Sequence, residues 1–203
     1  PQLFFVGKAT NDKGLIRTFT GHEGAVTSVA FSPNGRYALS ASTDKTIKLW
    51  AVAKGKLIRT YKGHTDIILS AAFSPDGRHV LATVIERPFS FRTAYRGFPR
   101  RTFIMDKQGA VLTTLNERPL QEGRNSPNSN RGSEPRAFAW RPDGAGLSFL
   151  VREGEDDEQS DRVMLLAAPF DMDQAQVVAE TEDRINSITY TMDGSGAFGS
   201  ISK

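Results

Sequence analysis

Few residues of this 203-residue chain combine the types and spacing that catalysis or metal binding requires. Cysteine is absent, which excludes thiol nucleophiles, disulfide bonds and cysteine-ligated metals. The histidines are His22, His64 and His79, and the first two each follow a glycine. The sequence has no Gly-x-Ser-x-Gly turn for a serine nucleophile, no glycine-rich phosphate loop and no zinc-ligand spacing. We therefore predict no catalytic residue, no metal site and no cofactor, and a protein that is not an enzyme.

One basic and aromatic stretch, residues 86–101, could contact anions. Its arginines are Arg87, Arg92, Arg96, Arg100 and Arg101, and its aromatic residues are Phe89, Phe91, Tyr95 and Phe98. Arginines among aromatic rings can bind phosphates and stack on bases, and an arginine can also hold a substrate carboxylate. A long excursion between two strands explains the same residues, and we favour this structural interpretation. Because the net charge is only +3, we expect no nucleic-acid partner.

An acidic stretch, residues 153–161, is the other candidate site. Its acidic residues are Glu153, Glu155, Asp156, Asp157, Glu158 and Asp161. A calcium loop needs oxygen ligands at alternate positions with a glycine at the turn, whereas most of these acids are consecutive. We therefore interpret the stretch as a solvated hairpin loop. The polar segment 117–135, rich in Pro, Gly, Ser and Asn, is likewise predicted to be a surface loop.

The elements that must position these residues are indicated by a recurring motif. An aromatic residue, two further residues and Asn-Gly or Asp-Gly occur four times, beginning at Phe31, Phe73, Trp140 and Tyr190. Each copy follows a short run of alternating apolar and polar residues, which is typical of a strand. Asn, Asp and Gly tolerate the left-handed backbone that a tight hairpin turn requires. The motif therefore predicts four strand–turn–strand units.

Further strand-like runs follow three of the four hairpins. Third strands are predicted at 46–50, 101–105 and 162–167, and fourth strands at 56–61, 110–115 and 176–180. No segment has a convincing helical stripe. Four antiparallel strands in each repeat of about 40–50 residues are the pattern of a β-propeller blade. We therefore predict an all-β fold, a β-propeller, that occupies residues 1–203 as a single domain.

The two ends of the chain each supply part of a blade. Two strands, 3–7 and 14–19, precede the first complete blade, and two more, 185–190 and 197–202, follow the last one. These fragments can combine into one composite blade, which would cover two sheet edges that otherwise promote aggregation. The prediction is therefore four blade equivalents, three whole and one composite from the two termini.

Residues 14–83 resemble the WD-repeat family. The segment GHEGAVTSVAFSPNGRYALSASTDKTIKLW, residues 21–50, is similar to the repeat of that family almost throughout. The resemblance implies a buried hydrogen-bonded network, whose members here are His22, Ser40, Asp44 and Trp50, with Ser42 as an alternative to Ser40. A buried indole N–H needs an acceptor, and a connected network would hold the turn against the third strand.

The second of these repeats departs from the family pattern. It keeps a Gly-His pair at His64, but the segment TVIERPF, residues 83–89, replaces the matching Asp and Trp. We therefore expect only a partial network around His64. Members of the family bind proteins or peptides on the top face or rim of the ring, and the resemblance implies no more than that.

Beyond residue 84 the chain is similar instead to the propeller domain of prolyl oligopeptidase-family serine peptidases, especially the glutamyl endopeptidases. The similar segments are FPRRTFIMDKQGAVLTTL, PRAFAWRPDGAGLSFL and RVMLLAAPF. In that family the propeller filters access to an α/β-hydrolase domain, which we do not recognise in this sequence. Composition changes at the same place, since residues 1–83 hold 7 Lys and 4 Arg while residues 84–203 hold 2 and 13. We therefore hypothesise a recombinant or engineered chimera.

Three functions fit this organisation. The first is a non-catalytic propeller scaffold, a chimera that self-assembles. The second is a protein–protein interaction module of the WD-repeat type, which would need an exposed aromatic or arginine hot spot. The third is a substrate-gating propeller fragment of a serine peptidase that lacks its catalytic domain. Hydrolysis of glutamyl peptides by this chain alone would contradict the prediction that it is not an enzyme.

Four blade equivalents allow two ring closures. They could close on themselves, or two chains could form an eight-bladed ring in which the composite blade pairs strands from different chains. Residues 1–117 carry 17 Lys and Arg against 8 Asp and Glu, while residues 118–203 carry 9 against 15. These opposite charges favour encounter of the two halves, so we predict a homodimer through terminal strand pairing.

Composition limits the remaining possibilities. Hydrophobic residues make up 38% and charged residues 24%, which is the composition of a folded protein. No apolar run approaches the roughly 18 residues of a membrane-spanning helix, so we expect no membrane partner. We recognise no targeting segment, which predicts a cytoplasmic location if the chain is expressed as it stands and leaves the natural compartment open.

Overall fold

Antiparallel β-strands make up the protein. The structure, a computed structural model, describes residues 2–6, 15–87, 97–120, 134–154 and 159–202. Strands account for more than half of the described residues, which contain no α-helix, and Met172–Gln174 form a 3-10 turn. The all-β prediction is therefore confirmed. In the described part of the chain, no helix has the length and apolar character to cross a membrane.

The strands form three four-stranded sheets, called blades 1 to 3, and two two-stranded sheets, called the N-terminal and C-terminal pairs. The N-terminal pair contains β1 (Gln2–Val6) and β2 (Leu15–Thr20). Blade 1 contains β3 (Val26–Phe31), β4 (Tyr37–Ser42), β5 (Ile47–Ala51) and β6 (Lys56–Tyr61). Blade 2 contains β7 (Ile68–Phe73), β8 (His79–Ile85), β9 (Arg100–Asp106) and β10 (Val111–Arg118). Blade 3 contains β11 (Arg136–Trp140), β12 (Leu147–Glu153), β13 (Ser160–Leu166) and β14 (Gln176–Thr181), and the C-terminal pair contains β15 (Arg184–Tyr190) and β16 (Ala197–Ser202).

Each sheet is a meander in which consecutive strands are hydrogen-bonded neighbours. The first two strands of every blade have a register shift near the start of the first strand, and β15 and β16 have the same irregularity. Such a bulge bends the strand and increases its twist, which helps sheets to pack around an axis. The three complete blades are those predicted from the repeat, and the C-terminal pair has the features of the first half of a fourth.

The tight turn after the first strand uses the same side-chain chemistry in every unit. In blade 1 the Asn34 side-chain oxygen accepts hydrogen bonds from the Arg36 backbone N–H at 3.0 Å and from the Ser32 hydroxyl at 2.8 Å. Gly35 follows in the left-handed conformation, with φ at 67°. Aspartates make the equivalent backbone bond in the other three turns, namely Asp76 to Arg78, Asp143 to Ala145 and Asp193 to Ser195. This local bonding explains why the motif locates the hairpins.

Blades 1 and 2 share one apolar core. Leu39 and Ile47 of blade 1 and Ile68 and Phe103 of blade 2 are fully buried members of it. The Thr27 hydroxyl of β3 donates to the backbone carbonyl of Ile68 at 2.5 Å, which joins the first strands of the two blades. Blade-to-blade packing therefore buries the apolar face that a single sheet would leave exposed.

Blades 2 and 3 are joined by a second core. Ile104 and Leu115 of blade 2 lie with Leu147 and Phe149 of blade 3, and all four are buried. Phe170, in the loop between β13 and β14, closes the same cluster. Residue 84 lies on β8, inside blade 2. The core therefore continues without a break across the point at which the composition of the sequence changes.

The acidic stretch differs from the predicted solvated loop at its end. Asp161 is completely buried, and it accepts hydrogen bonds from Arg136 at 2.5 Å and Arg152 at 3.0 Å. It also accepts the backbone N–H of Ile185 at 2.6 Å, which ties blade 3 to the C-terminal pair. The interpretation as a solvated loop is wrong for this residue, because its two arginine partners come from other strands. Glu153 pairs with Arg162, and residues 155–158 lie outside the described residues.

The two terminal pairs form separate sheets within this chain. β1 and β2 pair only with each other among the described residues, and so do β15 and β16. Each pair packs against its neighbouring blade, since Phe19 of β2 is buried against blade 1 and the Tyr190 hydroxyl donates to Ser148 of blade 3 at 2.6 Å. The composite blade is therefore not assembled inside one chain, and its formation between chains stays a prediction.

Gly146 provides a test of how tightly blade 3 is built. Its φ is +144°, and a Cβ there would lie 2.3 Å from the Leu166 carbonyl oxygen. Because the backbone of Leu166 would have to move, we expect Gly146→Ala to lower the free energy of unfolding by about 2–4 kcal/mol. Gly144→Ala is the matched control, because its φ of +77° strains an alanine but nothing lies within 4 Å. We expect it to cost about 1 kcal/mol. Urea unfolding followed by circular dichroism measures both, and equal losses would contradict the packing of Gly146.

Candidate functional site

A chain of hydrogen bonds joins the loop before blade 1 to its second and third strands. His22 Nδ1 lies 2.7 Å from Asp44 Oδ2, and His22 Nε2 lies 2.7 Å from Ser40 Oγ. The Trp50 indole N–H donates to Ser40 Oγ at 2.8 Å. The structure therefore brings together all four residues of the predicted network. Ser42 has a different role, because its hydroxyl accepts the Asp44 backbone N–H at 3.1 Å.

The bonding pattern assigns the direction of each hydrogen bond. Since Ser40 Oγ accepts from the indole, its own proton is free to be donated to His22 Nε2. The imidazole proton then lies on Nδ1 and is donated to the Asp44 carboxylate. The tautomer is an assignment from these partners. In this arrangement every polar atom of the buried chain has a partner, which is the condition under which a buried polar network stabilises a fold.

Asp44 also holds the turn between β4 and β5. Its Oδ2 accepts the Glu23 backbone N–H at 3.0 Å, and its Oδ1 accepts the backbone N–H of Thr46 at 3.0 Å and the Thr46 hydroxyl at 2.6 Å. Burial alone would raise the pKa of this carboxyl, but the hydrogen bonds from Thr46, His22 and Glu23 outweigh it and hold the pKa well below its usual value. The carboxylate is therefore ionised throughout the neutral range.

Trp50 anchors the apolar end of the network. It is 1% exposed and packs edge-on against Phe19 of β2, with ring centroids 5.6 Å apart. Gly21 passes over the indole so closely that a Cβ there would lie 3.3 Å from its ring. The network thus fixes the N-terminal pair, the loop and blade 1 relative to one another.

The connectivity Ser40–His22–Asp44 is that of a serine hydrolase triad, but its geometry is unsuited to catalysis. A nucleophilic serine must be open to substrate and have its oxygen free to attack. Ser40 is 0% exposed, and its oxygen already accepts the Trp50 indole N–H. The arrangement therefore serves to hold strands together.

His64, the matching histidine of the second repeat, has a different environment. Its ring stacks on Phe103 with centroids 5.7 Å apart, and its Nε2 is buried with no hydrogen-bond partner among the described residues. Burial lowers the pKa of this imidazole, and the positive charge of Arg101 lowers it further. The partial network predicted around His64 is therefore replaced by ring stacking. His79 packs edge-on against Phe170.

The basic and aromatic stretch is only partly described. Arg92 and Arg96 lie outside the described residues. Arg87 pairs with Asp66 at 3.5 Å, and Arg101 pairs with Glu86 at 2.8 Å and lies over the Phe103 ring. Arg100 is half-buried on β9. The contacts of Arg87 and Arg101 bind loops and strands of blade 2 to one another, as the structural interpretation of this stretch expects.

A pocket of about 380 Å³ lies beside the network, between the loops that precede blades 1 and 2. We call it the lysine pocket, and it is lined by Gly21, Glu23, Asp44, Lys45, Thr46, Lys48, Thr60, Lys62, Gly63 and His64. Sequence reasoning did not single out its lysines. Lys48 and Trp50 are separated by one residue on β5, so they lie on the same face of the strand. This spacing could have indicated that Lys48 is buried like Trp50. Among the described residues no group of three or more His, Asp or Glu is placed to hold a metal ion.

Comparison with known proteins agrees with the geometry of blade 1. Residues 13–51 and 55–84 match the family model described as WD domain, G-beta repeat. Two segments, about a third of the chain, are therefore similar to WD repeats. The second matched segment keeps the Gly-His pair in sequence, but His64 stacks on Phe103 instead of joining a hydrogen-bonded network.

Similar curated proteins each match this chain over a short segment. Ribosome assembly protein 4 of Saccharomyces cerevisiae is 56% identical over 41 residues, 20% of this chain and 8% of that protein. WD repeat-containing protein 36 of Homo sapiens is 43% identical over 43 residues, 21% and 5% of the two chains. Small ribosomal subunit protein RACK1 of Saccharomyces cerevisiae is 49% identical over 41 residues, which are 20% of this chain and 13% of that protein. The chain thus spans only 5–13% of the length of these relatives.

The resemblance of residues 84–203 to a serine peptidase propeller finds no support in these comparisons. Chimeric or engineered origin finds none either. Blades 2 and 3 have the strand order of blade 1, and they continue its core, so a single repeating architecture describes the whole of the described chain.

Substitution of Trp50 tests the network. Trp50→Ala should cost about 3–5 kcal/mol of unfolding free energy, the usual loss for a large core aromatic residue. Trp50→Phe keeps a ring but removes the indole N–H and leaves Ser40 without its donor. Trp140→Phe is the matched control, because the buried Trp140 N–H has no acceptor among the described residues. We expect Trp50→Phe to cost about 1 kcal/mol more than this control in urea unfolding. Equal costs would contradict the bond to Ser40.

Acid titration tests Asp44. Its pKa in the folded protein lies below the 3.8 of an ordinary aspartate, so the unfolded chain takes up the proton first as the pH falls. The stabilisation from Asp44 is therefore complete above about pH 5 and declines as the pH falls towards the folded-state pKa. We expect the stability difference between wild type and Asp44→Asn to shrink between pH 6 and pH 3. A stability difference that stays constant over this pH range for Asp44→Asn would refute the ionised network.

Proposed function

We propose that this protein is a non-catalytic protein-interaction scaffold that assembles with a second copy of itself. The two segments that match WD repeats and the curated WD-repeat relatives support the scaffold, and the buried state of Ser40 argues against hydrolysis through the cluster of Ser40, His22 and Asp44. The observation that carries the self-association is that, among the described residues, β1 and β16 each pair with one strand only and each belongs to half of a blade.

The two half-blades are complementary in strand count and position. The C-terminal pair has the hairpin turn and bulge of the first two strands of a blade, and it packs on blade 3. The N-terminal pair packs on blade 1 through Phe19, as the last two strands of a preceding blade would. Antiparallel pairing of β16 from one chain with β1 from another would give a four-stranded sheet like blades 1 to 3. Two such junctions would close a two-fold symmetric ring of eight blades.

The C-terminal pair also leaves apolar side chains uncovered. Phe198 on β16 is 66% exposed, and Met192 in the preceding turn is fully exposed. An unpaired strand edge with exposed apolar residues tends to pair with a strand of another chain unless another element covers it. The +9 balance of residues 1–117 and the −6 balance of residues 118–203 would draw the amino-terminal part of one chain to the carboxy-terminal part of the other.

Absolute mass in solution tests this proposal. Light scattering on a sizing column, across a dilution series, should give twice the 22.3 kDa of one chain. Phe198→Lys places a charge on the proposed junction and should raise the dissociation constant by at least about tenfold. Val178→Lys is the matched control, because Val178 is similarly exposed on β14, an outer strand that the junction does not use.

A mass of one chain at every concentration would overturn the dimer, as expected if further residues of a longer protein cover the two edges. Equal effects of Phe198→Lys and Val178→Lys would overturn the assignment of the junction to β16. Turnover of glutamyl peptides by the purified chain would overturn the non-catalytic part of the proposal, whereas the dimer would stand.

A further inference from the structure

A buried lysine without a counter-ion lies in the wall of the lysine pocket. Lys48 is 8% exposed, and its ammonium group donates to the Thr60 hydroxyl at 3.1 Å. In the described part of the chain no carboxylate lies within ion-pair distance of it. An ammonium group has three protons to donate, and burying its charge beside one neutral acceptor is costly. The structure therefore leaves a positive charge in this wall that an anion could neutralise.

The neighbouring walls add positive charge and an unsatisfied imidazole. Lys62 lies at the exposed rim, and within the described residues no carboxylate pairs with it. Lys45 is neutralised, because it pairs with Asp66 at 3.3 Å. His64 presents a buried Nε2 that no described residue satisfies. Two ammonium groups that no described carboxylate neutralises therefore line the pocket, together with the residue His64.

The carboxylates of the pocket do not supply the missing partner. Both oxygens of Asp44 already accept hydrogen bonds, from His22 and Glu23 on one oxygen and from Thr46 on the other. The Glu23 side chain lies at the exposed edge. In formal charge the lining holds three lysines against two carboxylates, and among the described residues neither carboxylate lies within ion-pair distance of Lys48 or Lys62.

We propose that the lysine pocket binds a phosphoryl group, either as free phosphate or as a phosphate ester. A phosphate dianion matches two ammonium groups in charge, and its several oxygens can accept hydrogen bonds from more than one of the lysines that line the pocket. A single carboxylate carries half that charge and fewer acceptor sites. The pocket volume of about 380 Å³ exceeds that of phosphate alone, which leaves room for the group to which an ester is attached.

The proposal is independent of self-association. The pocket lies between blade 1 and the loop that leads into blade 2, both in one chain, and it is remote in sequence from the edges of β1 and β16. A monomer would bind phosphate in the same way. Failure of the dimer and failure of phosphate binding are therefore distinguishable.

Calorimetric titration of the full chain tests the pocket. Inorganic phosphate is titrated at constant ionic strength, with acetate as the carboxylate comparison, and O-phosphoserine against serine as the ester comparison. Lys48→Met keeps the apolar stem and removes the charge, Lys62→Gln removes the rim charge without disturbing the interior, and Lys54→Gln is the matched control on the exposed β5–β6 turn. We expect wild type and Lys54→Gln to bind phosphate equally, and each pocket variant to bind at least about tenfold more weakly.

Each outcome decides the proposal. Phosphate binding that weakens in Lys62→Gln but not in Lys54→Gln supports the pocket even if Lys48→Met fails to fold. Binding of phosphate without O-phosphoserine assigns free phosphate, and binding of both assigns the phosphoryl group of an ester. Equal response to phosphate and acetate, equal weakening in Lys54→Gln and Lys62→Gln, or no heat of binding in wild type would each overturn it.

Discussion

A four-stranded sheet has two faces, and in this protein each blade depends on the next blade to bury one of them. The core between blades 1 and 2 and the core between blades 2 and 3 are built from side chains of both sheets, so neither blade has a complete core alone. Stability is then a property of neighbours, as in other repeat architectures. The same constraint makes the two terminal pairs the points at which the assembly is unfinished.

Three aspartates, two of them buried and one half-buried, join loops and strands that are separate in the fold. Asp44 joins the loop before blade 1 to the β4–β5 turn through His22. Asp66, in the loop before blade 2, accepts Lys45 from blade 1. Asp161 of blade 3 accepts the backbone N–H of Ile185 from the C-terminal pair. A carboxylate suits this role because it accepts several hydrogen bonds at once, from side chains and backbone of separate elements.

The features that could be predicted from the sequence are those whose contacts join residues close together in the chain. Asn34 and Asp76 hold their turns through bonds to residues two positions away, so the hairpins follow from the local motif. His22 and Trp50 are far apart in sequence, and they were found because they resemble a known repeat. Lys48 and Asp161 were missed or misread, because their burial depends on loops and strands that sequence patterns do not bring together.

The same network that holds blade 1 together also shapes the lysine pocket beside it. Because Asp44 is fully used by His22, Glu23 and Thr46, its carboxylate cannot turn to neutralise Lys48, although both line one cavity. The hydrogen bonds that hold the Asp44 carboxylate therefore leave the Lys48 ammonium group without a carboxylate partner among the described residues. Trp50 seals the cluster of Ser40, His22 and Asp44, whereas Lys48 lines a cavity on the loop side of the blades, where strands need not be opened to admit a ligand.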